Sequence, residues 1–165
     1  NTSNVEGAVV SWTINSGGTG YLNGEQVEVN GSTGTFEGRL VISTGGVVVG
    51  LNILNHGSAY LYSSTYFLEV TGPTTGNGLN ITAILGNIVY TNVTNDGSED
   101  INTDFSWVFT DGEDPRNLSE SFEGYSPGII FPGETMTYHY YSGDTTKISR
   151  IALTIDGVTK ASNVA

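Results

Sequence analysis

No stretch of this chain spaces its apolar residues three and four apart, as a helix would. They fall instead in short alternating runs cut by Gly, Asn and Asp. Val, Ile, Thr, Tyr, Phe and Trp fill these runs, and there is a single Met. Side chains that branch at Cβ or carry rings fit a pleated, half-buried surface, so the pattern predicts an all-β chain. Strands are expected near Ala8–Asn15, Gln26–Val29, Phe36–Ser43, Val47–Leu54, Tyr66–Thr71, Leu79–Leu85, Ile88–Thr94, Asp104–Thr110, Glu134–Tyr141 and Lys147–Asp156. Many short strands with tight turns predict β-sandwich architecture, as two packed small β units or one large sandwich.

The first half carries an internal repeat. Ile14-Asn15-Ser16-Gly17-Gly18-Thr19-Gly20-Tyr21-Leu22 aligns with Ile53-Leu54-Asn55-His56-Gly57-Ser58-Ala59-Tyr60-Leu61, an offset of 39 residues. Val29-Asn30-Gly31 then matches Val70-Thr71-Gly72, and Leu40-Val41-Ile42 matches Leu79-Asn80-Ile81. Two copies are too few for a solenoid. A pseudo-symmetric sandwich or barrel fits better, with the Ile14–Tyr21 and Ile53–Tyr60 segments structurally equivalent. The second half has no such repeat and holds most of the charge. The expected division is therefore a glycine-rich repeat unit over residues 1–86 and a β-sandwich over residues 87–165.

Charge narrows the partners. The chain has 17 Asp and Glu against 5 Lys and Arg, for a net charge of -12, which argues against nucleic acid and anionic membrane surfaces. Only 13% of residues are charged, so the polar surface is built from Asn, Ser, Thr and Gly instead. There is no cysteine, so neither a disulfide nor a thiolate site can form. No apolar run approaches the length of a membrane span, so this segment is not expected to insert in a membrane. Asn1-Thr2-Ser3-Asn4 is polar, and the expectation is a targeting segment already removed or never included.

Two resemblances follow from particular residues. The run Ile14 to Tyr21, with Gly18, Gly20 and Tyr21, resembles a glycine-rich β module common in tailed-phage virion proteins and prokaryotic surface proteins; the second copy departs from that pattern at Ala59. In the second half the carrying residues are Val93-Thr94-Asn95-Asp96-Gly97-Ser98-Glu99-Asp100-Ile101, Trp107-Val108-Phe109-Thr110-Asp111-Gly112, Ile130-Phe131-Pro132-Gly133-Glu134-Thr135 and Ile151-Ala152-Leu153-Thr154-Ile155-Asp156-Gly157-Val158. They resemble the extracellular β-sandwich domain of archaeal type IV-pilin-like proteins, the archaellins and pilins. Those proteins also carry an N-terminal hydrophobic helix that forms the filament core. This sequence has none, which implies either its removal or another mode of assembly.

The residues offer few groups for chemistry. His56 sits in the repeat turn and His139 in the run Met136 to Tyr141. No Gly-x-Ser-x-Gly elbow accompanies them, and an enzyme is not expected. Gly18-Thr19-Gly20-Tyr21 has no Lys beside it and no helix after it, so it is not a phosphate loop. Asp96, Glu99, Asp100, Asp111 and Asp114 lie in oxygen-rich loops of a kind that can hold calcium, but their spacing matches no EF-hand, and solvated acidic turns are the competing reading. Asn1, Asn30, Asn80, Asn92 and Asn117 each begin a glycosylation sequon. Phe105, Trp107 and Phe109 alternate along one strand face.

The chain therefore reads as a structural protein of the cell exterior. The first expectation is a subunit or outer domain of an extracellular prokaryotic filament, such as an archaeal pilus or archaellum, that self-assembles as a homo-oligomer through sheet contacts. Alternatives are a virion component and an adhesion module that binds glycans or other surface proteins. Val10, Trp12 and Ile14 share a face of the first strand. They would be the plugging residues if that strand were donated to a neighbouring copy.

Overall fold

The computed structural model describes residues 2–31, 35–102, 106–110, 116–117, 122–123, 128–143, 150–155 and 158–163. Its strands are β1 (Thr2–Thr19), β2 (Gln26–Val29), β3 (Glu37–Ser43), β4 (Val47–Asn55), β5 (Phe67–Val70), β6 (Asn77–Thr94), β7 (Ile101–Asn102), β8 (Ser106–Thr110), β9 (Arg116–Asn117), β10 (Phe122–Glu123), β11 (Ile129–Ile130), β12 (Thr135–Ser142), β13 (Arg150–Ile155) and β14 (Val158–Asn163). The fold is all-β, with antiparallel pairing between the strands. Among the described residues, no helix is long and apolar enough to cross a membrane. The chain forms two compact units: Glu6–Gly86, and Asn87–Ala165 together with Asn1–Val5. The boundaries fall inside β6 and β1.

In the Glu6–Gly86 unit the strand order is β1-β6-β5-β2-β3-β4. The two outermost strands then meet. The Val9 N–H donates to the His56 carbonyl at 2.9 Å, and the Gly20 and Tyr21 N–H groups donate to the Gly45 and Gly46 carbonyls, each at 3.1 Å. The sheet thus curls nearly into a barrel and leaves few unpaired edge groups. Its interior is one cluster that includes Val9, Tyr21, Val27, Phe36, Leu40, Val48, Tyr60, Leu68 and Ile81.

The unit is built from two like halves. Tyr21 and Tyr60 are both buried after their Gly turns. Each phenol oxygen accepts a main-chain N–H from across the unit, Tyr21 from Leu79 at 3.2 Å and Tyr60 from Phe36 at 3.1 Å. The bonds Gly20 N–H to Gly45 and Tyr21 N–H to Gly46 recur as Ala59 N–H to Glu6 and Tyr60 N–H to Gly7. Leu40 N–H to Glu25 recurs as Ala83 N–H to Tyr66, and Asn30 N–H to Phe67 recurs as Thr71 N–H to Gln26. β2 and β5 pair about Glu28 opposite Glu69, with Val27 opposite Val70 and Val29 opposite Leu68. A pseudo-twofold axis therefore passes between Glu28 and Glu69, relating β1, β2 and β3 to β4, β5 and β6.

These equivalences correct the last part of the sequence alignment. The hydrogen bonds match Leu40 with Ala83, and Phe36 with Leu79. The path from Tyr60 to Phe67 is two residues longer than that from Tyr21 to Gln26, and the path from Thr71 to Leu79 two longer than that from Asn30 to Phe36, which together shift the register that the Leu-x-Ile match suggested. A second correction concerns Gly86-Asn87, expected as a break between two strands. Both residues are buried within the continuous β6, and Gly86 is absent from the positive-φ glycines. The Tyr62 hydroxyl donates to the Gly86 carbonyl at 3.1 Å, and Asn87 lies opposite Ser142. Here Gly-Asn passes through sheet rather than turning it.

In the other unit β12 pairs with β6 over eight positions and with β10 on its far side. A four-stranded sheet runs β14-β13-β8-β9, and β7 pairs with β11. The strand expected over Lys147–Asp156 is β13, and a further strand that was not expected, β14, follows it in a hairpin with Ile155 opposite Val158. β8 lies between β13 and β9, with Trp107 opposite Leu153. The face on which Phe105, Trp107 and Phe109 were expected lies outside the described side chains.

Candidate functional site

Among the described residues, a strip of polar and aromatic side chains lies on the second unit, where β6 and β12 pair. Alternation puts Thr94, Asn92 and Tyr90 on one face of β6, opposite Thr135, Thr137 and His139 of β12, with Tyr141 following. The Thr94 and Thr135 hydroxyls are 2.8 Å apart, and the Thr137 hydroxyl donates to the Asn92 side-chain oxygen Oδ1 at 2.7 Å. The His139 ring stands 5.9 Å from that of Tyr90 and 5.1 Å from that of Tyr141, tilted in both cases. Asn92, Thr94, Thr135 and Thr137 are exposed, and the three rings are half-buried. The ladder grades from neutral hydroxyls and an amide to a small aromatic cluster. Such a strip can hydrogen-bond hydroxylated ligands and stack on their apolar faces.

The opposite face of the same strands is closed. Tyr138, Thr91, Asn87 and Ser142 are buried there. The hydroxyls of Thr2 and Thr91 are 2.9 Å apart, and the Asn4 amide donates to the Asn87 carbonyl oxygen at 3.2 Å. The start of β1 is thus tied to β6 by paired polar side chains, which satisfy one another away from water.

Asp96, Glu99 and Asp100 are exposed on the turn after β6. Its organiser is the buried Asn95, whose side-chain amide donates to the carbonyls of Glu99 at 2.7 Å and Ile130 at 2.9 Å. The same side chain accepts the Gly97 N–H at 3.1 Å. Asp111 and Asp114 lie outside the described residues. Among the described residues no three His, Cys, Asp or Glu side chains are grouped as a metal site.

Of the sequon residues, Asn30, Asn80 and Asn92 are exposed. Asn80 accepts a hydrogen bond from the Asn15 amide at 3.1 Å, and the same amide reaches Thr82 at 2.8 Å. Asn1 and the Asn117 side chain lie outside the described residues. Val10, Trp12 and Ile14 share a face of β1, as alternation requires. That strand pairs with β6 of its own chain, and Trp12 and Ile14 pack against its own core.

His56 has a role that the sequence did not signal. Its Nδ1 donates to the Val9 carbonyl at 2.7 Å, bracing β1 where it meets the end of β4. Gly17, the aligned residue of the first half, lies so close to Val48 that a side chain would collide with the main chain. A shallow groove of about 370 Å³ is bordered by Asn30, Phe67, Glu69, Leu79 and Asn80. No protein-family model, curated sequence or solved structure matches this chain.

Proposed function

We propose that this chain is a structural subunit, or outer domain, of an extracellular prokaryotic surface filament that assembles through β-sheet contacts. One observation carries the reading: two like halves of the Glu6–Gly86 unit already bind one another through sheet pairing about a pseudo-twofold axis. A sequence that recognises its own repeat in this way has the chemistry of self-association. The amide- and hydroxyl-rich surface and the low charged fraction suit a solvent-facing layer. Electron microscopy of the native source, with an antibody against this chain, tests the reading. Decorated filaments are the expected result, and label confined to capsids or to single particles would overturn it.

The Tyr90–His139–Tyr141 ladder favours a second reading, adhesion to glycans. Binding on a glycan array that is lost in Tyr90→Ala, with the fold retained, is its expected signature.

A further inference from the structure

The Glu6–Gly86 unit holds together in large part through contacts between its halves. β1 pairs with β6, β2 with β5 and β3 with β4, so three of its five strand pairings join one half to the other. Tyr21 is anchored on Leu79 and Tyr60 on Phe36, again across the halves. Only the short turn Thr44-Gly45-Gly46 joins the halves covalently, between β3 and β4. The hairpin it closes is irregular, with register shifts at Glu37/Gly38 and at Val41/Ile42.

From this arrangement we infer that the halves exchange between copies, so that residues up to Ser43 of one chain complete the unit with β4, β5 and β6 of a second copy. The strand-pairing hydrogen bonds and core contacts away from the turn are remade in the exchanged unit; opening the turn gives up the Gly46 N–H to Ser43 bond, and the bonds of Gly20 and Tyr21 to Gly45 and Gly46 lie at that hinge. The cost is the turn conformation and the freedom lost on association, which a dense surface layer would offset by its concentration. This inference rests on the self-assembly reading and names its sheet contact. The partner is a second copy of this chain.

The absence of cysteine makes the test direct. Glu28 and Glu69 are exposed and directly opposite, so E28C and E69C place thiols across the dyad without touching the core. Equimolar E28C and E69C chains are refolded together at high protein concentration and oxidised with glutathione disulfide. Exchange gives a mixed E28C–E69C disulfide of doubled mass on a non-reducing gel, in excess of either homodimer. A statistical mixture of the three products, or none, overturns the inference. A second variant guards against misfolding. The double variant E28C/E69C, oxidised when dilute, locks both halves within one chain, and it should sediment as a monomer where the unmodified chain associates. Association that survives the lock uses another surface and overturns the inference. Filaments in the native source without the mixed disulfide would leave self-assembly standing and remove half exchange.

Discussion

The two halves of the Glu6–Gly86 unit solve one backbone problem with different residues. At the tight corner before each buried tyrosine the chain must adopt positive φ. The first half uses Gly20 at 78° and the second uses Ala59 at 64°, the only positive-φ residue other than glycine among the described residues. For an L-residue with a Cβ that conformation costs about 1–2 kcal/mol. The second half tolerates it because the corner is held on both sides, by Ala59 N–H to Glu6 and Tyr60 N–H to Gly7. Tertiary hydrogen bonds therefore set the corner, and local preference is secondary. The halves also differ at Gly17 and His56, where one closes the sheet by absence of a side chain and the other by a side-chain hydrogen bond.

The strongest way to break the equivalence is at the glycines that cover the tyrosine corners. A Cβ on Gly46 would stand 2.6 Å from the Tyr21 nitrogen, and one on Gly7 would stand 2.7 Å from the Tyr60 nitrogen, each at positive φ. Gly46→Ala and Gly7→Ala should each destabilise by roughly 2–5 kcal/mol, summing backbone strain and overpacking. Urea unfolding of the two variants measures this, and similar losses are expected if the halves are equivalent.

Next in size is removal of the phenol oxygens. Tyr21→Phe leaves the Leu79 N–H without its acceptor, and Tyr60→Phe does the same to Phe36. Each should cost about 1–3 kcal/mol, the larger loss falling at Tyr60, whose bond is buried. Hydrogen exchange at the Leu79 and Phe36 amides should accelerate in the corresponding variant alone.

The corner itself sharpens the comparison. Ala59→Gly should stabilise by about 1 kcal/mol, and Gly20→Ala should destabilise by at least as much, because the same φ is relieved in one and imposed in the other. Equal signs in thermal melts would mean that the corners are not equivalent.

The smallest effect is expected at the dyad. Glu28 receives a hydrogen bond from Gln26 at 3.0 Å, whereas Phe67 stands at the matching place beside Glu69. Like charges directly opposite repel, so Glu69→Gln should stabilise by roughly 0.2–1 kcal/mol. The gain should shrink in high salt, since both residues are exposed.

Sequence alone conveyed the strands of the repeat well, because the alternation there is strict; β2 falls where it was expected. The tyrosines and their glycines were legible as a pair because the repeat doubled the signal. The four-residue shift that sets Leu40 against Ala83 was not, since two extra residues before β5 and two before β6 move the register without altering the pattern. The continuity of β6 through Gly86-Asn87 was hidden as well. Gly-Asn reads as a turn unless a distant partner, here Tyr62, holds it extended. The β6–β12 ladder was missed because its members come from runs 45 residues apart at Asn92 and Thr137, and only pairing brings them together. The acidic turn was visible as charge, but its organiser was the neutral Asn95.

One contact ties the first strand to a glycosylation sequon. The Asn15 amide bonds both Asn80 and Thr82, which are the first and last members of the sequon Asn80-Ile81-Thr82. A transferase must hold those two side chains itself, and β1 is made long before β6. Once β6 docks on the waiting β1, Asn15 occupies what the enzyme would grasp. Any sugar attachment at Asn80 would therefore compete in time with closure of this sheet.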